Sequence, residues 1–196
     1  MELGQLVARR RMVRRYLGEP VDPDALERVL DRARRAPSAG FSQGQTFVVV
    51  TDRARRLALA RLCDEEEYAA RGFEPWLSVA PVHVVVCTQP SAYDARYAEP
   101  DKAAPDRPAN WQVPFWWVDA GAALMLLLLA AVDEGLGAGF LDLSRPEEVK
   151  ALLDIPVEAL PVGLVTLGHS HPDQPITASE RRGRRPFDDV VRFNAW

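Results

Sequence analysis

From Ala120 to Val132 the chain carries no charged side chain: Ala120-Gly121-Ala122-Ala123 leads into Leu124-Met125-Leu126-Leu127-Leu128-Leu129-Ala130-Ala131. A helix over Trp116 to Glu134 has no polar face, so it must be covered on every side. At 13 residues the uncharged run is well short of the roughly 20 that a bilayer-spanning helix needs, so its cover is protein. The 196-residue length fits one domain over 1–196, and a domain of that size has difficulty surrounding such a helix alone. A homodimer with this helix in its interface is the expectation; a central helix in a monomeric core is the alternative.

Around that helix the pattern alternates. Val21 to Arg35 reads as a helix, with Pro23 in the first turn and Leu26, Val29, Leu30 and Ala33 on one face. Ala36-Pro37-Ser38-Ala39-Gly40 ends it, and Thr46 to Val50 follows as a buried strand. Asp52 is placed to cap a helix reaching Cys63, and the acidic run Asp64-Glu65-Glu66-Glu67 reads as a solvated face. Further strands are expected over Pro81–Thr88, Ala138–Leu143 and Pro161–Gly168, with a Ser144-capped helix over Pro146–Leu153. Residues 89–114 form an excursion with short helical pieces, of the kind that covers a site as a lid. Residues 169–196 read as a polar extension tied down on something else. Helices alternating with four short apolar strands predict an α/β or α+β fold.

Charge sharpens the functional question. Residues 9 to 16 hold five arginines, yet 24 Lys and Arg are outnumbered by 28 Asp and Glu, for a net charge of −4. An acidic chain whose arginines gather locally does not have the extended basic surface of a nucleic-acid binder. Arginine's planar fork matches a phosphate group, so the cluster points to a small phosphorylated ligand. A solvated helix end is the plain alternative. A second cluster, Arg181-Arg182-Gly183-Arg184-Arg185, lies near the C-terminus. The chain opens without a signal-peptide pattern and has two widely separated cysteines, Cys63 and Cys87, which fits a reduced cytoplasmic protein. No Cys/His spacing resembles a zinc site. His83, at the centre of a strand, reads as a core histidine, and His169 and His171 as loop residues.

Four segments in this order resemble the nitroreductase superfamily of FMN-dependent oxidoreductases. Arg10-Arg11-Met12-Val13-Arg14-Arg15-Tyr16 is similar to its N-terminal Arg-Arg-Ser-x-Arg-x-Phe. Ala36 to Gln43 is similar to its Ala-Pro-Ser-x-x-Asn-x-Gln. Asp119-Ala120-Gly121 through Gly135-Leu136-Gly137 resembles its apolar helix ending in Gly-Leu-Gly, and Gly183 to Val191 its C-terminal basic-proline segment.

The resemblance implies a nitroreductase-like α+β fold with a small mixed sheet, an intertwined homodimer, exchanged C-terminal tails and FMN at the interface. Arg10 and Arg14 would hold the phosphate and ribityl chain, Arg11 would contribute through its backbone, and Met12 stands in the same motif. Arg184 or Arg185 would close on the phosphate. Pro37, Ser38 and Ala39, from the other subunit, would lie along the flavin ring, and Phe41 and Gln43 are cofactor-binding positions of the same motif. Leu141, Asp142 and Leu143 would bring a backbone N–H to flavin N5. The implied reaction is ping-pong hydride transfer from NAD(P)H to a nitroaromatic, quinone or similar flat acceptor. It needs no catalytic nucleophile or base, because the cofactor carries the chemistry. Phe41, Trp111, Phe115, Trp116 and Trp117 are aromatics available for stacking or for packing.

Three departures matter. Met12 replaces the family's serine, Phe41 an asparagine and Gly44-Gln45 a Pro-Trp pair. Ala36 to Phe41 is closer to the family's flavin-destroying branch, which makes dimethylbenzimidazole, but that branch has aspartate where Met12 stands. A flavin-binding or cofactor-free dimer without turnover is the remaining alternative.

Overall fold

The computed structural model of the protein describes residues 1–102, 111–174 and 181–196. Parts of the expected excursion (103–110) and of the C-terminal extension (175–180) therefore lie outside the described residues. In chain order the elements are α1 (Leu3–Arg9), α2 (Pro23–Ala33), a 3-10 turn (Ala39–Phe41), β1 (Gln45–Val50), α3 (Arg53–Leu62), α4 (Glu65–Ala70), β2 (Val82–Thr88) and α5 (Pro90–Tyr97). They continue with α6 (Phe115–Asp133), β3 (Gly137–Leu141), α7 (Pro146–Leu153), β4 (Leu160–Gly168) and α8 (Phe187–Val190). The fold class is α+β.

The four strands form one sheet in the order β1-β2-β4-β3. All three pairings are antiparallel, which corrects the expectation of a mixed sheet. Apolar runs announce burial but not direction, so the polarity of each strand was not readable from them.

Strand β2 is buried along its whole length, and its alternation divides the core in two. Val82, Val84 and Val86 face a cluster with Val29 and Ala33 of α2 and Leu127, Leu128 and Ala131 of α6. Val85 and Cys87 face the opposite cluster, with Leu59 of α3, Val149 and Leu153 of α7, and Trp76. The sheet is thus sandwiched between two helical layers. Truncating a core residue such as Leu127 to alanine costs about 2–5 kcal/mol in sites of this kind.

Helix α2 begins at Pro23, with the Asp22 carboxylate accepting from the Asp24 N–H. Asp52 caps α3 as expected, its Oδ1 accepting from Arg55 N–H at 2.8 Å. Ser144 does not cap α7: its hydroxyl donates to Asp64 Oδ2 and Arg145 occupies the cap position. The acidic run is also more than a solvated face. Asp64 pairs with Arg145, and Glu65 Oε1 accepts from Ser78 N–H at 2.9 Å, while Glu66 and Glu67 are exposed.

Helix α6 packs on α2 and the sheet, but the single chain leaves one of its faces open. Val118 is 53% and Met125 47% exposed, and Gly121 between them is exposed as well. Positions 118, 121 and 125 share one helical face. Across the extension Phe187, Val190, Phe193 and Trp196 are exposed too. Helix α6 is long and apolar enough to cross a membrane by length and composition. Its buried Asp119 and its packing against both α2 and β2 are those of a core helix.

Candidate functional site

The arginine-rich segment is not a helix end. Helix α1 stops at Arg9, and residues 10 to 17 run as an extended strap across β3 and the end of β4. Val13 N–H donates to the Ala138 carbonyl at 2.9 Å and Leu17 N–H to that of His169 at 3.0 Å. His171 N–H returns a bond to the Arg15 carbonyl, and Tyr16 bridges to Ser170. Val13 and Tyr16 are buried. The Tyr16 hydroxyl lies 2.8 Å from Thr166 Oγ1, and burial raises its pKa. Glycine makes this approach possible: a Cβ at Gly137 would come within 2.9 Å of Val13 Cγ2, and one at Gly139 would overlap the Val13 carbonyl oxygen.

On this fixed backbone each arginine has a distinct environment. Arg10 is half-buried, and its Nη1 is buried without a hydrogen-bond partner among the described residues. A guanidinium N–H left so is costly unless an acceptor arrives. The Arg14 guanidinium carbon stands 5.8 Å from the ring centroids of both Phe73 and Trp76, a cation–π arrangement that fixes the side chain. Arg15 turns away to an ion pair with Glu74 at 2.7 Å. Arg11 and Met12 are exposed. An anion with several oxygens fits this donor set.

The second segment is the loop from Pro37 to Gly44. Phe41 N–H donates to the Ser38 carbonyl at 2.8 Å, and Gln43 N–H to Ser38 Oγ at 2.9 Å. The backbone is left-handed at Gly40 (φ 61°), Phe41 (φ 62°) and Gln43 (φ 52°). Two of these carry side chains, and strain of this kind persists only where the surroundings impose it. Phe41 is 70% exposed. Behind the loop stand α5 and α6: Arg96 Nε donates to the Gly40 carbonyl at 2.8 Å, and Ala39 N–H donates to Asp119 Oδ2 at 2.8 Å.

The aromatics of the excursion pack on one another. Trp111 meets Tyr97, Tyr93, Phe115 and Trp116 edge-on, with centroids 4.7–6.1 Å apart. The described part of the excursion is therefore a bracket for the loop. Lys102, at the end of the first described part, is exposed.

The third segment follows β3. Leu141 pairs with Leu164 in the sheet, and Leu143 N–H donates to Asp142 Oδ1 at 2.8 Å, so that amide is engaged within its own turn. Arg184 and Arg185 are exposed, and Arg185 Nη2 donates to the Asp189 carbonyl at 3.0 Å. No hydrogen bond or ion pair among the described residues joins either one to the strap. The strap packs on the α3–α7 side of the sheet and the loop against α5 and α6, so one chain presents them separately. Two open grooves of about 520 and 510 Å³ run along α2, the first between Asp24 and Arg32, the second reaching Gln43 and Phe47. Neither is lined by an arginine of the strap.

The sequence singles out none of Arg96, Phe73 and Trp76; it offers Tyr93 only as part of a lid and Asp119 only as the first residue of the apolar-helix motif. Of these, Asp119 carries a usable signal, as the one carboxylate in the helix ahead of its terminal Asp133. His83 is a core histidine with half its ring satisfied: its Nε2 lies 2.7 Å from the Leu77 carbonyl, while its Nδ1 has no partner among the described residues.

The strap and the Pro37–Gly44 loop are built from two of the segments in which the sequence resembles a known family. The chain matches the Nitroreductase family over residues 7–169 and belongs to that family. It is 32% identical to 5,6-dimethylbenzimidazole synthase of Rhodospirillum rubrum, over 93% of this chain and 90% of that protein. It is 27% identical to the FMN reductase [NAD(P)H] of Bacillus subtilis, over 92% of this chain and 68% of that one. Among solved structures, a nitroreductase family protein from Streptococcus pneumoniae superposes with a TM-score of 0.77 at 23% identity, covering 98% of this chain and all of that one.

Proposed function

We propose that the protein is an FMN-dependent oxidoreductase that passes a hydride from NAD(P)H to a nitroaromatic, quinone or similar flat acceptor in a ping-pong cycle. Bound FMN would supply the hydride-accepting and hydride-donating ring. The observation that carries this reading is the buried, unpartnered Arg10 Nη1 on a strap whose backbone is pinned to β3 and β4. Arg10 and Arg14 hold the phosphate end, Arg184 or Arg185 closes on it, and the Pro37–Gln43 loop lies along the flavin. Family membership and the FMN reductase relative support the same cofactor.

The site is completed by a second copy of the chain. Strap and loop sit on different sides of one chain's sheet, and the open stripe of α6 and the apolar side chains of the extension lack cover in one copy. An oligomer built through them joins a strap to a partner loop. We place the enzyme in the cytoplasm, where the free, buried Cys63 and Cys87 stay reduced. The test is direct: the purified protein is yellow, NADH or NADPH bleaches it without oxygen, and a quinone restores the colour. A colourless protein that FMN cannot reconstitute would leave the cofactor-free reading.

The synthase relative gives a second reading its footing, together with Ala36 to Phe41. Met12, in place of that branch's aspartate, weighs against it. Reduced FMN and oxygen incubated with the protein separate the two, since only the second yields a benzimidazole.

A further inference from the structure

Asp119 is the only acidic side chain among the buried described residues. It sits on the most apolar helix, where a carboxylate is costly without hydrogen-bond donors. Two donors meet it. The Tyr93 hydroxyl and the Ala39 N–H each donate to the same oxygen, Oδ2, at 2.8 Å. Tyr93 is fully buried, and burial together with the Asp119 bond raises its pKa, so the phenol remains a donor. One carboxylate thus ties α5, α6 and the Pro37–Gly44 loop at a single point.

The neighbouring contacts leave the loop no slack. A Cβ at Gly40 would come within 2.7 Å of the Tyr97 ring, and one at Gly44 within 2.6 Å of the Tyr93 ring. Arg96, which holds the Gly40 carbonyl, is itself fixed by two 2.7 Å bonds to Asp101. The left-handed backbone at Phe41 and Gln43 is thereby imposed from the buried side, and it decides where the exposed Phe41 ring stands.

We propose that Asp119 is the positioning residue of the ligand-facing loop, holding Ala39 and Tyr93 so that Ser38 and Phe41 present a fixed edge to the flavin and to the flat acceptor beside it. This rests on the FMN reading above, and its test separates the two. Amide exchange of Ala39 to Gln43 in the apoprotein reports on the tether whether or not flavin binds. Flavin affinity and the visible spectrum of the loaded protein report on the role.

Asp119→Leu takes the acceptor from the buried Tyr93 hydroxyl and the half-buried Ala39 N–H. Ala39 then exchanges at least about tenfold faster, FMN binds about tenfold more weakly, and the flavin absorption bands shift. Asp119→Asn, whose amide oxygen can accept both bonds, restores exchange and affinity to within about threefold of the parent. Should Asp119→Leu not fold, Tyr93→Phe keeps the ring and removes one of the two donors, and Ala39 exchange rises several-fold. Unchanged loop exchange in either variant, or Asn behaving like Leu, overturns the proposal. A parent protein that never binds FMN but shows the predicted exchange overturns the function while leaving the tether in place.

Discussion

Gly139 lies directly beneath Val13. A Cβ on Gly139 would overlap the Val13 carbonyl oxygen and stand 2.9 Å from Thr166 Oγ1. The strap that carries Arg10 and Arg14 can lie flat on the sheet because β3 offers it no side chain at that position. Gly139→Ala is expected to lift the strap, lower stability by about 1–3 kcal/mol as overpacking does, and weaken FMN binding in the fraction that folds. Chemical denaturation paired with a flavin titration checks both.

Arg14 is held by Phe73 and Trp76 as well as by its backbone. Removing its side chain in Arg14→Ala should weaken FMN binding by about 1–3 kcal/mol, the value of a charge-assisted bond. Phe73→Leu keeps the charge but loosens the bracket, so a smaller loss is expected. Equal occupancy in all three proteins would remove Arg14 from the site.

How far the sequence reaches is visible in these residues. Strands β1, β2 and β4 and helices α2, α6 and α7 fall within two or three residues of their sequence reading, because apolar runs and proline or glycine breaks mark them. Helix α1 was missed: it has no buried residue and no side-chain cap to announce it. The antiparallel course of the sheet was missed because burial says nothing of direction. At the site, the arginines and the Pro-Ser-Ala-Gly break were legible as motifs. The link from Ala39 to Asp119 spans 80 residues, and the aromatic bracket of Arg14 is likewise tertiary, so local pattern could not show either.

His83 supplies a pH dependence. Burial lowers its pKa from 6.5 to about 4 in the folded state. The unfolded chain therefore takes up a proton first. The stability due to neutral His83 is complete above about pH 6.5 and is lost as pH falls towards about 4, by about 3 kcal/mol in all. Denaturant midpoints between pH 7 and pH 4 should show this loss, and His83→Gln should flatten it. A parental slope retained in His83→Gln would assign the effect to other groups.

Self-association has its own check. The open stripe of α6 predicts a particle of twice the chain mass by light scattering. Val118→Glu combined with Met125→Glu places charges where an apolar partner face is expected. That double variant should sediment as a monomer and lose flavin with it. A monomeric parent would contradict the shared site.

The most direct measurement of the central claim compares FMN with riboflavin, which differs only in lacking the phosphate. Titrated by flavin fluorescence, the protein should bind FMN at least about a hundredfold more tightly, and Arg10→Ala should remove at least about tenfold of that preference. Equal affinity for the two flavins, or a preference untouched by Arg10→Ala, would contradict it.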